Sequence, residues 1–179
     1  MGTHVALIRG INVGHAKRVA MADLRALVEE LGYGQVRTLL NSGNVVLSAA
    51  GETPSDAAAR IEAALAARLG VPARVTVLSA EELAVAIAEN PLLEVADNPS
   101  RLMVAVLADP ADRAKLEPLL AQDWAPEALA IGTRVAYLWC PQGVIASRLV
   151  PAVSRALGDA VTTRNWATMT RLQALAQEQ

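Results

Sequence analysis

The chain has 179 residues, a length that fits one domain or two small ones sharing an interface. Apolar residues make up 53% and charged residues 19%, and this composition excludes a disordered chain. The formal net charge of −2 provides no overall basic field for binding nucleic acid. A single cysteine, Cys140, excludes a disulfide framework and a multi-cysteine metal site.

The elements predicted for the first half follow the order β-α-β-β-α-β. Apolar stretches and periodicity place a strand at 4–9, a helix around 24–31, hairpin strands at 35–40 and 43–48, and a strand at 73–78. Thr53-Pro54 opens the second helix by its capping pattern, and Gly70 ends it. This order is that of a ferredoxin-like split βαβ unit, which we predict for residues 1–79.

The second half, residues 80–179, is predicted to form a second and less regular α+β unit. Predicted strands lie at 101–108 and 134–139, and helices begin at the Ser79–Glu82 capping box, at Asp109-Pro110, at 145 and at about Thr163. The last helix is amphipathic, so we expect it to dock on the body of the protein.

A glycine loop follows the first predicted strand. Gly10 and Gly14 bracket Asn12, and Arg9 stands where the strand ends. Glycines let backbone amides approach an anion closely, and an arginine adds a planar partner for phosphate or carboxylate. The spacing matches neither the dinucleotide-binding fingerprint nor the P-loop. The alternative is a plain turn with Arg9 at its rim.

A second polar stretch, Asn41-Ser42-Gly43-Asn44, joins the two hairpin strands. A tight hairpin needs such residues whatever its function. In a split βαβ unit, however, the third strand lies antiparallel between the parallel first and second strands. The hairpin turn and the end of the first strand then share one sheet edge, so we predict that this stretch lies near Arg9 and Asn12.

A third polar stretch, Arg164-Asn165-Trp166, is predicted to open the last helix. A helix N-terminus favours anions, and neighbouring arginine and tryptophan side chains can clamp and stack a planar group. If the helix docks so that this stretch meets the other two, the three form one site. The alternative is a capped helix with Trp166 in the core.

Taken together, the three stretches resemble the signature of a bacterial domain-of-unknown-function family, numbered 1697. Their order and spacing are more specific than any one stretch, although His15 and Ala167 stand where the family usually has glycine and asparagine. The resemblance implies a small bacterial α+β protein and no established reaction. The stretches that carry it are Leu7 to Gly14, Leu40 to Val46 and Thr163 to Trp166.

We expect the protein to bind a small anionic molecule, such as a nucleotide or a phosphorylated metabolite. No general base or nucleophile stands out, so the question of catalysis stays open. No metal-ligand spacing is present, and we expect neither a metal nor a cofactor. The predicted ligand-binding residues are Arg9, Gly10, Asn12, Gly14, Asn41, Ser42, Gly43, Asn44, Arg164, Asn165 and Trp166.

Two other functions remain as alternatives. One is RNA or single-stranded DNA binding on the ferredoxin-like sheet, but the first and third predicted strands lack the aromatic residues on which bases stack. The other is an oligomer or interaction module without a ligand, and homo-oligomerisation is open in either case. The N-terminal segment has no signal-peptide pattern and no apolar run predicts a membrane span, so we expect a cytoplasmic protein with no membrane partner.

Overall fold

The computed structural model describes residues 2–179, and Met1, the first residue of the predicted N-terminal unit, lies outside the described residues. Within them the protein is a mixed α+β fold with two four-stranded antiparallel sheets and six helices. The chain divides into two compact units. One ends at Leu83 and includes Leu172–Gln179, and the other is Ala84–Arg171.

The first sheet contains four strands with two helices between them in sequence. The elements are β1 (Gly2–Ile8), α1 (Met21–Glu30), β2 (Gly34–Leu39), β3 (Asn44–Ala49), α2 (Pro54–Leu69) and β4 (Val75–Ser79). The strand order is β2-β3-β1-β4, and each neighbouring pair is antiparallel. β1 and β2 are therefore parallel to each other with β3 between them, which places the end of β1 beside the β2–β3 turn.

Two helix starts have the predicted capping bonds. Thr53 Oγ1 accepts a hydrogen bond from the Asp56 amide at 3.1 Å, and Pro54 occupies the first turn of α2. Ser79 and Glu82 form a reciprocal capping box at α3 (Ala80–Ala88), with bonds of 2.9 and 3.1 Å. Because each cap satisfies amides that have no partner inside the helix, these short polar patterns fix the helix starts.

The second sheet has the same arrangement as the first. The elements after α3 are β5 (Leu102–Leu107), α4 (Arg113–Leu116), β6 (Ala128–Ile131), β7 (Val135–Trp139), α5 (Leu149–Leu157), β8 (Val161–Asn165) and α6 (Trp166–Gln177). The order β6-β7-β5-β8 is again second, third, first and fourth, and all neighbouring pairs are antiparallel.

The predicted start of the last helix is wrong. Residues from Val161 to Asn165 form strand β8, which pairs with β5, and α6 begins only at Trp166. Val161, Thr162 and Thr163 are β-branched, a side-chain type that packs well on a sheet. Arg164 therefore lies in a strand and not at a helix N-terminus, where the sequence had placed it.

Other differences lie between β5 and α5. Asp109 caps a turn as predicted, with the Ala111 amide bonded to its Oδ1 at 2.9 Å, but the helix that follows is short. Strand β6 was not predicted, because its four residues carry no alternation of polar and apolar side chains. α5 begins at Leu149 and not at 145, so Pro151 falls in its first turn, where no backbone amide is needed.

Candidate functional site

Asn12 connects the glycine loop to the hairpin turn by hydrogen bonds. Its Nδ2 donates to the carbonyl oxygens of Asn41 and Val19, each at 2.8 Å, and its Oδ1 accepts from the Val19 amide at 2.7 Å. The backbone of Asn12 is left-handed, with φ of 57°, a conformation that asparagine adopts more readily than most residues. Asn12 thus closes the loop on itself and joins it to the second polar stretch.

Asn44 stabilises the hairpin turn through buried hydrogen bonds. It begins β3 opposite Leu7 of β1, and its side chain is fully buried. Its Nδ2 donates to the Leu39 carbonyl at 2.8 Å and to Ser42 Oγ at 2.9 Å. The side chain therefore holds the chain on both sides of the turn.

Gly43 allows the hairpin to approach the end of β1. Its carbonyl accepts a hydrogen bond from the Ile8 amide at 2.9 Å, and its φ is 90°. A Cβ atom there would lie 2.9 Å from Ile11 Cδ1 and 3.0 Å from Ile8 Cβ. Both the backbone conformation and the close contact require glycine at this position.

The structure therefore brings the first two predicted stretches together. Asn12 and Asn44 use their side chains to build this region, whereas Asn41, Gly10 and Gly14 are exposed. A Cβ added at Gly10 or Gly14 would meet nothing within 4 Å, so the surface beside these two backbones is open.

Basic residues lie on both sides of this loop in the sequence. The Arg9 amide donates to the Arg74 carbonyl at 2.9 Å, Arg18 Nη1 donates to the Asn12 carbonyl at 3.0 Å, and the Lys17 carbonyl accepts from the Asn12 amide at 3.1 Å. Residues 9–19 contain no acidic side chain. The sequence prediction missed Lys17 and Arg18, although a basic pair in an acid-free segment was a usable signal.

The third predicted stretch lies in the second unit. Arg164 stands opposite Val104 in the sheet, is 8% exposed and donates to the Thr163 carbonyl at 3.0 Å. Burial lowers its pKa to about 10, so the guanidinium still carries its charge at neutral pH. Asn165 Oδ1 accepts from the Thr168 amide at 2.8 Å and caps α6, whose first residue, Trp166, is half-buried. A ligand role for these residues stays a prediction.

The second unit also contains a polar cluster that the sequence did not indicate. Glu127, Cys140, Ser147 and Arg148, here called the Glu127 cluster, line a pocket of about 190 Å³. The Glu127 carboxylate accepts from Ser147 Oγ at 2.5 Å and from the Arg148 amide at 2.7 Å. Ser147 Oγ in turn accepts from the Val150 amide at 3.1 Å. These bonds satisfy amides at the start of α5, so the cluster anchors that helix.

Cys140 is the thiol of this cluster. It is fully buried, and its Sγ lies 3.5 Å from Ser147 Oγ. Burial raises the pKa of the Cys140 thiol above its usual range. The thiol is therefore protonated at neutral pH, the form that is a poor nucleophile.

Residues 2–179 also bear on metal binding and on membrane insertion. No group of three or more histidine, cysteine, aspartate or glutamate residues is arranged to hold a metal ion there. None of the helices in this range is both long and apolar enough to cross a membrane.

Comparison with known families identifies the chain. Residues 1–137 match the family described as "Protein of unknown function (DUF1697)". The chain belongs to this family. The matched residues include the glycine loop and the hairpin turn and end before Arg164.

A solved structure has the same fold. The conserved bacterial protein SP0830 from Streptococcus pneumoniae is similar over 98% of each chain, with a TM-score of 0.79 and 19% sequence identity. At this identity the similarity establishes the fold alone. No curated protein matches the chain.

Proposed function

We propose that the protein binds a small anionic ligand, a nucleotide or a phosphorylated metabolite, at the loop of residues 9–18 and the adjoining hairpin turn. The observation that carries this proposal is the hydrogen bonding of Asn12. These bonds close the basic, acid-free segment on itself and join it to the hairpin turn at Asn41. Convergence of polar groups on one open surface is typical of ligand sites.

The residues of this site have different roles in the proposal. Arg9 holds the negative charge, and Asn41 and Ser42 orient the ligand. The open backbones at Gly10 and Gly14 let amides approach it. The residues that keep the loop and the turn in place are Asn12, Gly43 and Asn44.

We also propose a finer description of the fold. Residues up to 79 form a ferredoxin-like unit, and residues 80–179 form the second α+β unit, in a cytoplasmic protein. The strand order β2-β3-β1-β4, with β1 and β2 parallel, supports the first part of this description.

Thermal unfolding with inorganic phosphate and with ADP tests the proposed site. A ligand that binds only the folded protein stabilises it by about 2.7 kcal/mol at a hundred times its Kd. We expect both compounds to raise the Tm of the wild type. Arg9→Ala should abolish these shifts while leaving the Tm without ligand almost unchanged.

Arg25→Ala is the matched control, because Arg25 is an exposed arginine of the same unit that pairs with Glu29 on α1. It should keep both ligand-induced shifts. If Arg9→Ala lowers the Tm without ligand by many degrees and no anion shifts the wild type, Arg9 is structural and the proposal is wrong. Binding of single-stranded RNA without any response to phosphate or ADP would favour the nucleic-acid alternative instead.

A further inference from the structure

Strands β2 and β6 hold the same edge position in their sheets, but they are protected to different degrees. The register of β2 is irregular between Gly34 and Arg37, and Arg37 pairs with Glu178 at 2.6 Å. Gln179 Nε2 also donates to the Gln35 carbonyl at 3.1 Å. Irregular register, charged side chains and covering segments are the usual means of keeping an edge strand from pairing with another chain. β6 has none of these, because its four residues are uncharged and keep a regular register with β7.

One side of the β6 backbone is open for hydrogen bonding. The Gly132 amide donates to the Val135 carbonyl at 2.7 Å across the turn between β6 and β7. Bonded and open positions alternate along an antiparallel pair, so the amides and carbonyls of Leu129 and Ile131 face away from β7. Within residues 2–179 these groups have no hydrogen-bond partner. β6 can therefore accept one more strand.

The apolar core of the second unit reaches this edge and is only partly covered there. Leu129 and Ile131 pack against that core but remain half-buried. Leu120, which is 51% exposed, lies on the helical turn Glu117–Ala121 that contacts β6. A strand added beside β6 would remove part of this apolar surface from water, which favours association.

The two ends of β6 differ in charge in a way that suits a second copy of the same strand. Next to its start, the Arg148 amide binds the buried Glu127 carboxylate, and the Arg148 side chain remains 58% exposed. Next to its end, the Glu89 carboxylate accepts from the Thr133 amide and hydroxyl at 2.6 and 3.1 Å. Among residues 2–179 no lysine or arginine pairs with Glu89. In an antiparallel pair of two copies, the exposed arginine of each lies near this carboxylate of the other.

We propose that β6 is a dimerisation edge, to which a second copy of this chain adds its own β6 in antiparallel orientation about a two-fold axis. Leu129 of one protomer lies opposite Ile131 of the partner subunit, and Ala130 lies opposite Ala130 of the partner subunit. The second sheets of the two protomers then form one continuous sheet. The interface is separate from the proposed anion site, whose residues belong to the first unit.

Sedimentation equilibrium of charged variants at Ala130 tests the dimer and its register. We expect the wild type to dimerise and Ala130→Lys to raise the dimer Kd about tenfold, because two lysines then lie directly opposite each other. Ala130→Glu should have the same effect. An equimolar mixture of the two variants should recover the wild-type affinity, because a lysine then faces a glutamate. Ala130→Thr is the control, since it adds no charge and suits a strand, and it should keep the dimer.

Hydrogen exchange gives a second readout at the backbone. The amides of Leu129 and Ile131 should exchange more slowly as the protein concentration rises through the dimer Kd. Recovery of the dimer in the mixture also shows that both charged variants are folded, and circular dichroism of each variant checks this directly. A wild type that is monomeric at every attainable concentration would overturn the proposal, even if the edge then bound an extended peptide of another protein. A dimer unaffected by both charges, or a mixture that stays monomeric while both variants are folded, would also overturn it.

Discussion

The glycine loop of the first unit and the Glu127 cluster of the second are both polar, but their polar groups are used differently. The Glu127 side chain is 8% exposed, and its oxygens bind Ser147 and the start of α5. In the first unit, Asn12 of the loop and Asn44 of the hairpin have the same kind of internal role, yet Lys17 and Arg18, which bond to the Asn12 backbone, are exposed.

The difference shows that polarity alone does not identify a ligand site. A buried carboxylate whose oxygens accept bonds from one helix start fixes structure, and removing it leaves donors without partners. Exposed cations beside an open backbone add little to the stability of the fold. Replacing them should therefore change ligand binding and leave stability almost unaltered. Measurements of stability and of binding on matched variants therefore separate the two regions.

The largest effect on stability is expected at the contact of the hairpin with the loop. Gly43→Ala should lower the free energy of unfolding by about 3 kcal/mol, because the new Cβ meets Ile11 and Ile8 and the backbone is left-handed. Gly51→Ala has a similar φ, 66°, with nothing within 4 Å, and should cost only about 1 kcal/mol. Urea unfolding of both variants measures the difference, and equal losses would show that the contact is not tight.

The next effect concerns the Glu127 cluster. Glu127→Ala should lower the free energy of unfolding by about 2 to 3 kcal/mol, because the Ser147 hydroxyl and the Arg148 amide lose their acceptor. Glu117→Ala, at an exposed site of the same unit, should change it by less than about 0.5 kcal/mol. Chemical denaturation compares the two variants. If Glu127→Ala unfolds like the wild type, the cluster does not have the structural role assigned to it.

A smaller effect is expected at the start of α6. Asn165→Ala should cost about 1 kcal/mol, since the Thr168 amide loses the cap oxygen. Asn165→Asp keeps an oxygen in the same place and should restore most of that loss. If both variants unfold like the wild type in urea, Asn165 does not cap the helix.

The smallest effect on stability should come from the loop cations. Lys17→Gln is expected to change the free energy of unfolding by less than about 0.5 kcal/mol, because its exposed side chain gains little from folding. A loss as large as that of Glu127→Ala would mean that the loop, like the Glu127 cluster, is a structural anchor.

Much of the first unit was predictable because its signals are local. The Thr53-Pro54 cap, the Ser79–Glu82 box and the turn residues at 41–44 each act within a few positions of the chain. The strand order predicted that the hairpin lies close to the glycine loop. The hydrogen bond between Asn12 and Asn41 shows this contact directly. The anion-binding role of these residues stays a prediction.

The second unit was harder because its elements depend on distant partners. Strand β8 forms because it pairs with β5. From the sequence alone, a short threonine-rich segment before a tryptophan is equally consistent with a helix start. The Glu127 cluster joins residues separated by 20 positions, with no motif between them. Side-chain networks of this kind form only in the folded chain, so no local pattern reports them.

The proposed site is tested most directly by a titration with tripolyphosphate followed by NMR of the backbone amides. We predict that the amides that shift lie in residues 9–18 and 41–44 and that those of Gln142–Arg148, around the Glu127 cluster, stay in place. Shifts confined to the Glu127 pocket, or no shifts at any concentration, would contradict the assignment of the ligand site to the glycine loop.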